Sequence, residues 1–269
     1  MHTIAVANQK GGSGKTTTAV NLAACLAKRN RKVALIDLDP QSQATTYFRV
    51  DEAGVGTSVF DVMMGREIKM TSALVDIGDN LRIVPSRILS HDGEAQLLMQ
   101  PRRLFRLRDS LSELAATTDY TIIDCPPSLG LLTYNGLLAS DAVLLTVETS
   151  FLALHGVSRL LEVVDEIKRE HSHDMSLYAV ATMFDTRTRY AQEVLDDMRG
   201  FFKNQMLKTV IRRNVRLTEA ASIGLPIIEY RPTSYGSEDY VALAAEIDRR
   251  TKPKTISARD LKKFVQPYR

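Results

Sequence analysis

At 269 residues, 44% hydrophobic and 25% charged, the chain has the composition of a soluble globular protein and is long enough for one substantial α/β core. No apolar run reaches the length of a membrane span, no signal-peptide pattern is present, and Cys25 and Cys125 are too few for a disulfide framework or a cysteine metal cluster, so a cytoplasmic protein without stable membrane insertion is expected. The net charge of +3 is uneven: residues 249–269 hold eight Lys/Arg against the single Asp260, or +7, leaving −4 for residues 1–248.

The first apolar run, TIAVAN (3–8), is of strand length and leads into KGGSGKTT (10–17), which opens a helical pattern over Thr16–Arg29. Strand, glycine-rich loop and helix in this order make a phosphate-binding P-loop. Gly11, Gly12 and Gly14 permit a tight turn that aims N–H groups at phosphate oxygens, with Ser13 and Thr17 completing the loop. Lys15 is placed to reach the β- and γ-phosphates, and the Thr16 hydroxyl to ligate Mg²⁺. Gln9 stands where the usual first glycine of G-x-x-x-x-G-K-T would fall, so the loop is a variant with a second lysine, Lys10, ahead of its glycines.

The second strand, KVALIDLD (32–39), ends in Asp37 and Asp39, which alternation points to one face at the strand end where such sheets bind ligands. One of the two can support Mg²⁺ while the other orients or polarises an attacking water. Residues 49–80 are the least regular part of the body. Strands LRIVP (81–85), YTIIDCP (120–126), AVLLTVE (142–148) and LYAVATMF (177–184) follow, with helices expected over Arg102–Ala116, Gly156–Glu170 and Tyr190–Lys203. Asp124, ending a buried strand, takes the place of a Walker B acid that holds Mg²⁺ through water. Strands apolar on both faces and alternating with helices predict an α/β P-loop NTPase fold, a mainly parallel twisted sheet with helices on both faces.

From Arg199 to Arg216 there are six basic residues and no acid, and the aromatics of the run, Phe201 and Phe202, stand side by side rather than interleaving as a single-strand stacking platform would need. Residues 1–250 read as one domain, and TKPKTIS (251–257) reads as the linker opening a basic C-terminal tail, 251–269.

The ordered set KGGSGKTT, DLDPQ and DCPPSLG, continuing through TVIRRNVRLTEAASIGLPI, resembles the ParA branch of the ParA/MinD deviant-Walker ATPases over nearly all of residues 1–248. The resemblance implies an ATP- and Mg²⁺-dependent ATPase, weak alone, that segregates or positions DNA or another cargo. In such proteins an ATP-bound sandwich homodimer holds nonspecifically to double-stranded DNA on the nucleoid, and a ParB-like or other cargo-adaptor activator triggers hydrolysis and release. It makes Lys10 the signature lysine that reaches the partner subunit's phosphates, Asp39 the water-positioning acid, Asp37 a support for Mg²⁺ and Asp124 the Walker B acid. It assigns duplex-DNA contacts to Arg187 and Arg216, with Lys203, Lys208 and Arg213 as supporting positions.

Two departures from the family pattern stand out. SFLALHG (150–156) replaces the common E-Y-Y-A-L-E-G, putting Ser150 and His155 in place of glutamates near the expected dimer edge. Arg212 replaces a proline, which points to altered adenine contacts or an added phosphate contact. The alternative of a MinD-like membrane-surface ATPase would use Leu261, Phe264 and Val265 of the tail, spaced i, i+3, i+4. A third reading, a metabolic or electron-transfer enzyme on the same scaffold, is disfavoured because Cys25 falls inside the helix after the P-loop, a poor place for a cluster ligand.

Overall fold

The computed structural model describes residues 1–50, 56–65, 67–87, 96–150 and 155–251, with side chains after the last gap from Val157 onward. The tail positions Leu261, Phe264 and Val265 and the side chain of His155 lie outside the described residues. The strands are β1 (His2–Ala7), β2 (Val33–Asp37), β3 (Val75–Gly78), β4 (Leu81–Val84), β5 (Tyr120–Asp124), β6 (Ala142–Glu148), β7 (Ser176–Phe184) and β8 (Met206–Arg212). They form one sheet in the order β3-β4-β2-β5-β1-β6-β7-β8. Every neighbouring pair is parallel except β3 with β4.

The helices are α1 (Lys15–Lys28), α2 (Gln43–Tyr47), α3 (Val59–Met64), α4 (Arg106–Leu111), α5 (Leu131–Leu138), α6 (His155–His171), α7 (Arg189–Phe202), α8 (Val215–Ile223), α9 (Ile227–Tyr230) and α10 (Tyr235–Thr251). Alternation along the buried strands sorts their side chains into two cores. Ile4, Val6, Leu35, Ile122 and Leu144 pack with α1, α8, α9 and α10. Ala5, Ala7, Ile36, Ile123 and Leu145 pack with α3 to α7. The expected parallel sheet, covered on both faces, is the observed one.

Three elements differ from expectation. β3 lies in the stretch read as irregular, and β8 lies inside the basic run; each is an edge strand. The helix expected over Arg102–Ala116 contracts to α4 and one 3-10 turn, Ser112–Leu114, because Arg102 sits at φ 55°, a left-handed conformation that no α-helix passes through.

The topology places the site. The connection leaving β1 runs past β5 to β2, whereas the connection leaving β5 runs past β1 to β6. Adjacent strands whose connections diverge open a crevice at their C-terminal ends. Cross-strand register puts Asp37 beside Asp124 at that level, and Val6 beside Asp124 on the other side. Gly136 lets α5 close against these strand ends: a Cβ there would stand 2.8 Å from Cys125 Sγ.

Candidate functional site

The loop between β1 and α1 turns through Gly12 at φ 73° and Gly14 at φ 86°, left-handed values that glycine adopts without strain. A Cβ built on Gly11 or Gly12 meets nothing within 4 Å, so the space above the loop is open. Gly14 caps α1 without any side-chain hydrogen bond, and no acid occupies the first turn of the helix. Its leading N–H groups and positive dipole end therefore face that space, the arrangement that receives an anion. Lys15 is buried beneath the loop, its Nζ donating to the Lys10 carbonyl at 3.3 Å. Burial lowers its pKa, and Asp124 and Asp39 oppose the shift. Ser13 is anchored from the far side: its hydroxyl lies 3.1 Å from that of Thr146, and its carbonyl accepts from Thr182 Oγ1 at 2.9 Å.

Opposite Lys15, the carboxylates divide their work. Asp124 is fully buried, and neither oxygen has a hydrogen-bond partner at good geometry. Burial, then the charge of Asp37, raises its pKa well above the carboxylate range, and the nearby Thr16 hydroxyl offsets this only in part. Such a group is costly unless a cation meets it. Asp37, equally buried, is pushed up to about 7 by burial although it accepts from the Thr45 amide and hydroxyl, each at 2.7 Å, and from the Asp39 amide at 3.2 Å. With three protein donors Asp37 shapes the loop after β2, and its closeness to a cation would be felt through charge. Asp39 accepts from the Gln41 amide at 2.9 Å and its carbonyl from the Ser86 hydroxyl at 2.7 Å, which fixes it at the crevice rim. Thr16 donates a long 3.4 Å bond to Gln43 on α2, a neighbour of the site that the motifs did not single out.

Among the described residues no group of three or more His, Cys, Asp or Glu forms an all-protein metal cage. The donor set at Asp124 and Thr16 instead fits a hard cation that keeps waters and takes its remaining ligands from phosphates, as Mg²⁺ does.

Lys10 is held against the end of β6. Its ammonium pairs with Glu148 at the end of β6 and donates to Ser150 Oγ at 3.3 Å. Thr146, Glu148 and Ser150 alternate onto one face, and Thr146 also holds the loop by accepting from Asn8 Nδ2 through its carbonyl at 2.6 Å. The Asn8 side chain in turn accepts from the Lys10 amide at 2.9 Å. The P-loop is thus braced by β6, an element read from sequence only as core; the period-two step from Thr146 to Ser150 was the available signal.

Beside the loop, a cleft of about 500 Å³ runs between α1, the end of β7 and the turn from β8 into α8. Its lining includes Gly14, Thr17, Met183, Arg212, Arg213, Asn214, Val215 and Tyr240, a mixture of apolar and polar groups that suits a nucleoside adjoining the phosphate loop. Met183 holds φ 55°, a strained value for a non-glycine residue, at the cleft wall. Arg212 lines the same cleft, which leaves altered adenine contacts as the reading of its departure from the family pattern. Its guanidinium is committed to Asp239 at 2.6 and 2.9 Å and to Glu238 at 3.0 Å, and lies 4.2 Å from the Tyr235 ring centre, so it does not reach out for a phosphate.

The five candidate DNA residues are not one cluster. Arg187, after β7, and Arg213 and Arg216, after β8, lie where those strands end; the Arg213 amide donates to the Phe184 carbonyl at 2.9 Å. Lys203 lies in the 3-10 turn before β8 and Lys208 in the first half of that strand, about 16 Å or more from Arg213 along an extended chain. All five are exposed. Arg187 grips Asp185 with two bonds of 2.7 and 2.9 Å, and Arg216 grips Glu219 with two of 2.7 Å. Arg187 holds the Asp185 carboxyl well below its usual range, and Arg216 and then Tyr230 lower that of Glu219. Among the described residues no carboxylate pairs with Lys203, Lys208 or Arg213.

The model of a family described as an AAA domain matches residues 1–177. Chromosome partitioning protein ParA of Myxococcus xanthus is 41% identical over 254 residues, covering 94% of this chain and 89% of that protein. Sporulation initiation inhibitor protein Soj of Bacillus subtilis is 42% identical over 245 residues, covering 91% of this chain and 97% of that protein. Among solved structures, cobyrinic acid a,c-diamide synthase from Mycobacterium smegmatis with bound ATP analog and magnesium matches with a TM-score of 0.81 at 32% identity, over 93% of this chain and 95% of that one.

Proposed function

The chain belongs to the ParA/Soj branch of the ParA/MinD P-loop ATPases, and from that membership we propose that it is a DNA-dependent positioning ATPase. It binds Mg·ATP, closes into a sandwich homodimer, holds nonspecifically to duplex DNA, and leaves the DNA when a cargo-bound activator triggers hydrolysis to ADP and phosphate. The observation that carries this reading is buried Lys15 facing unpartnered Asp124 across an open glycine loop. Lys15 and Asp124 offset each other only in part, and a metal-bound triphosphate meets both at once.

Mg²⁺, when bound, neutralises charge on the phosphate oxygens, with Thr16 and Asp124 holding it and Asp37 adding charge behind them. Lys15 and the loop amides bind and orient the β- and γ-phosphates. Asp39, free of the saturating bonds that occupy Asp37, orients the attacking water at the crevice rim. Lys10 supplies a further cation to the partner's phosphates once it leaves Glu148. Arg187, Arg213 and Arg216 contact DNA phosphates from the ends of β7 and β8, with Lys203 and Lys208 extending the track along the edge. These contacts need charge and reach rather than base complementarity.

The diamide synthase is a metabolic protein on the same scaffold, but the identity to it is 32%, against 41% and 42% to the partitioning proteins. No described helix is long and apolar enough to cross a membrane. The test is sedimentation of wild type and Lys10→Ala with ATP, with ADP, and with duplexes of unrelated sequence. ATP-dependent dimers that bind every duplex, and a Lys10→Ala protein that binds ATP but stays monomeric, are expected. A wild type that stays monomeric in ATP, or a sequence-specific footprint, would sink the reading.

A further inference from the structure

Arg212 is the last residue of β8, and three of its groups converge on one carboxylate. Its amide donates to Asp239 Oδ2 at 2.8 Å, Nε to both Asp239 oxygens at 2.9 and 3.1 Å, and Nη2 to Asp239 Oδ1 at 2.6 Å. Asp239 is buried. Glu238 accepts a further bond from Nη2 at 3.0 Å, and the Tyr235 ring stacks beneath the guanidinium. A planar fork gripped this way has one orientation, and a proline at the same position could supply neither its N–H nor its guanidinium.

The clamp sits between the two walls of the cleft. On one side, Arg212 and the residues straight after it form the wall itself: Asn214 Oδ1 caps α8 by accepting from the Arg216 amide at 2.9 Å, and Val215 and Leu217 face the opening. On the other side, the residue straight after Asp239 is Tyr240, fully buried, whose hydroxyl lies 3.1 Å from Thr18 Oγ1 on α1. Asp239 therefore holds the β8–α8 wall, and Tyr240 holds the P-loop helix, from consecutive positions of α10. Farther along α10, Glu246 accepts from the Lys208 and Thr209 amides at 3.0 and 2.9 Å, so β8 is fastened at both ends.

We propose that Arg212 is a positioning residue for the nucleoside half of the site, setting through Asp239 and Tyr240 the separation between the β8–α8 wall and the P-loop helix. The proposal rests on the reading of the cleft as an ATP site. It separates two halves that most substitutions in a P-loop protein disturb together: the phosphate loop braced by β6, and the nucleoside wall braced by α10.

The experiment compares Mg·ATP with Mg·tripolyphosphate, each competing against a fluorescent ATP analogue, on wild type, Arg212→Ala, Asp239→Asn and the double variant. Thermal melting serves as the folding control. Arg212→Ala is expected to weaken ATP about tenfold while leaving tripolyphosphate within about twofold, the size of effect that loss of one clamp in a packed network produces. Asp239→Asn should do the same, and the double variant no worse than the weaker single, because both remove one clamp. Arg212→Lys keeps the charge without the fork and should fall between; it carries the comparison if Arg212→Ala does not fold. Equal weakening of both ligands, or unchanged ATP affinity in a folded Arg212→Ala, overturns the proposal. A wild type that does not bind ATP overturns the nucleotide reading itself.

Discussion

The inner end of the sheet, where β1, β2 and β5 stop, and its outer edge at β7 and β8 present charge in opposite ways. At the inner end Lys15, Asp37 and Asp124 are buried, and among the described residues neither Asp124 oxygen has a hydrogen-bond partner at good geometry. At the edge Arg187 and Arg216 are exposed, and each is already gripped by a carboxylate two or three residues away. The energetics follow from the surroundings. A buried carboxylate is costly to ionise until a counter-charge meets it, so a cation arriving at the inner site would be felt strongly there. An exposed ion pair contributes little, so the edge arginines can exchange Asp185 or Glu219 for a phosphate at small cost and with little selectivity. A switch needs the first kind of site, and a grip on DNA of any sequence needs the second.

The inner site should break first and furthest. Lys15→Ala removes the buried cation facing the phosphates and is expected to weaken Mg·ATP on the order of 10²–10³-fold, the loss seen when one member of a desolvated charge pair is removed. Calorimetric titration checks it, and an affinity within threefold of wild type would contradict the assignment. Asp39→Ala should keep ATP binding and lower hydrolysis by about 10²–10⁴, the usual contribution of a positioned acid or base. The dimer should then persist on DNA. Wild-type turnover in that variant would move the water-orienting role elsewhere, and Asp37, with its three hydrogen bonds already taken, is a poor substitute.

How far these regions are legible in the sequence follows the same division. The P-loop and the paired acids are legible because glycine, lysine and aspartate sit at spacings set by phosphate and metal chemistry, and the sheet brings them together as the spacing requires. The six central strands are legible because continuous burial leaves a continuous apolar run. β8 is hidden because an edge strand carrying Lys208 and Arg212 has no such run, and its amides are met by Glu246 and Asp239 from α10, thirty or so residues on. α5 is hidden for the reverse reason: LLTYNGLL is buried nearly all round and offers no amphipathic period. The partners of Lys10 and Arg212 are long-range, and no local pattern announces them.

At the edge, smaller and more graded effects are expected. Arg187→Glu and Arg216→Glu should each weaken duplex binding independently of sequence while leaving ATP-driven dimerisation intact. Each should also flatten the slope of log K against log salt by about 0.9 for every DNA phosphate that the variant no longer neutralises. The same changes at Lys203 and Lys208, which lie at the far end of β8, tell whether DNA follows the whole edge or only its upper corner. Unchanged affinity in both arginine variants would remove the ends of β7 and β8 from the DNA surface.

The smallest effect belongs to the residue that joins the two kinds of site. Lys10 lies in the phosphate loop, yet like the edge arginines it is held by a partly solvated carboxylate, its side chain 40% exposed and that of Glu148 20%. To reach a partner subunit's phosphates it must leave Glu148 and Ser150, and the pair is exposed enough that release costs little. Glu148→Gln keeps the shape and removes the competing charge. It is expected to lower the ATP concentration that half-saturates dimerisation by about threefold to fivefold, the equivalent of roughly 1 kcal/mol for a partly screened pair. Sedimentation across an ATP series reads the midpoint directly, and Ser150→Ala should shift it in the same direction by less. A midpoint that moves to higher ATP in Glu148→Gln would mean that Glu148 aims Lys10 toward the partner instead of holding it back. Lys10 would then belong wholly to the inner kind of site, with a positioned charge and a supporting acid.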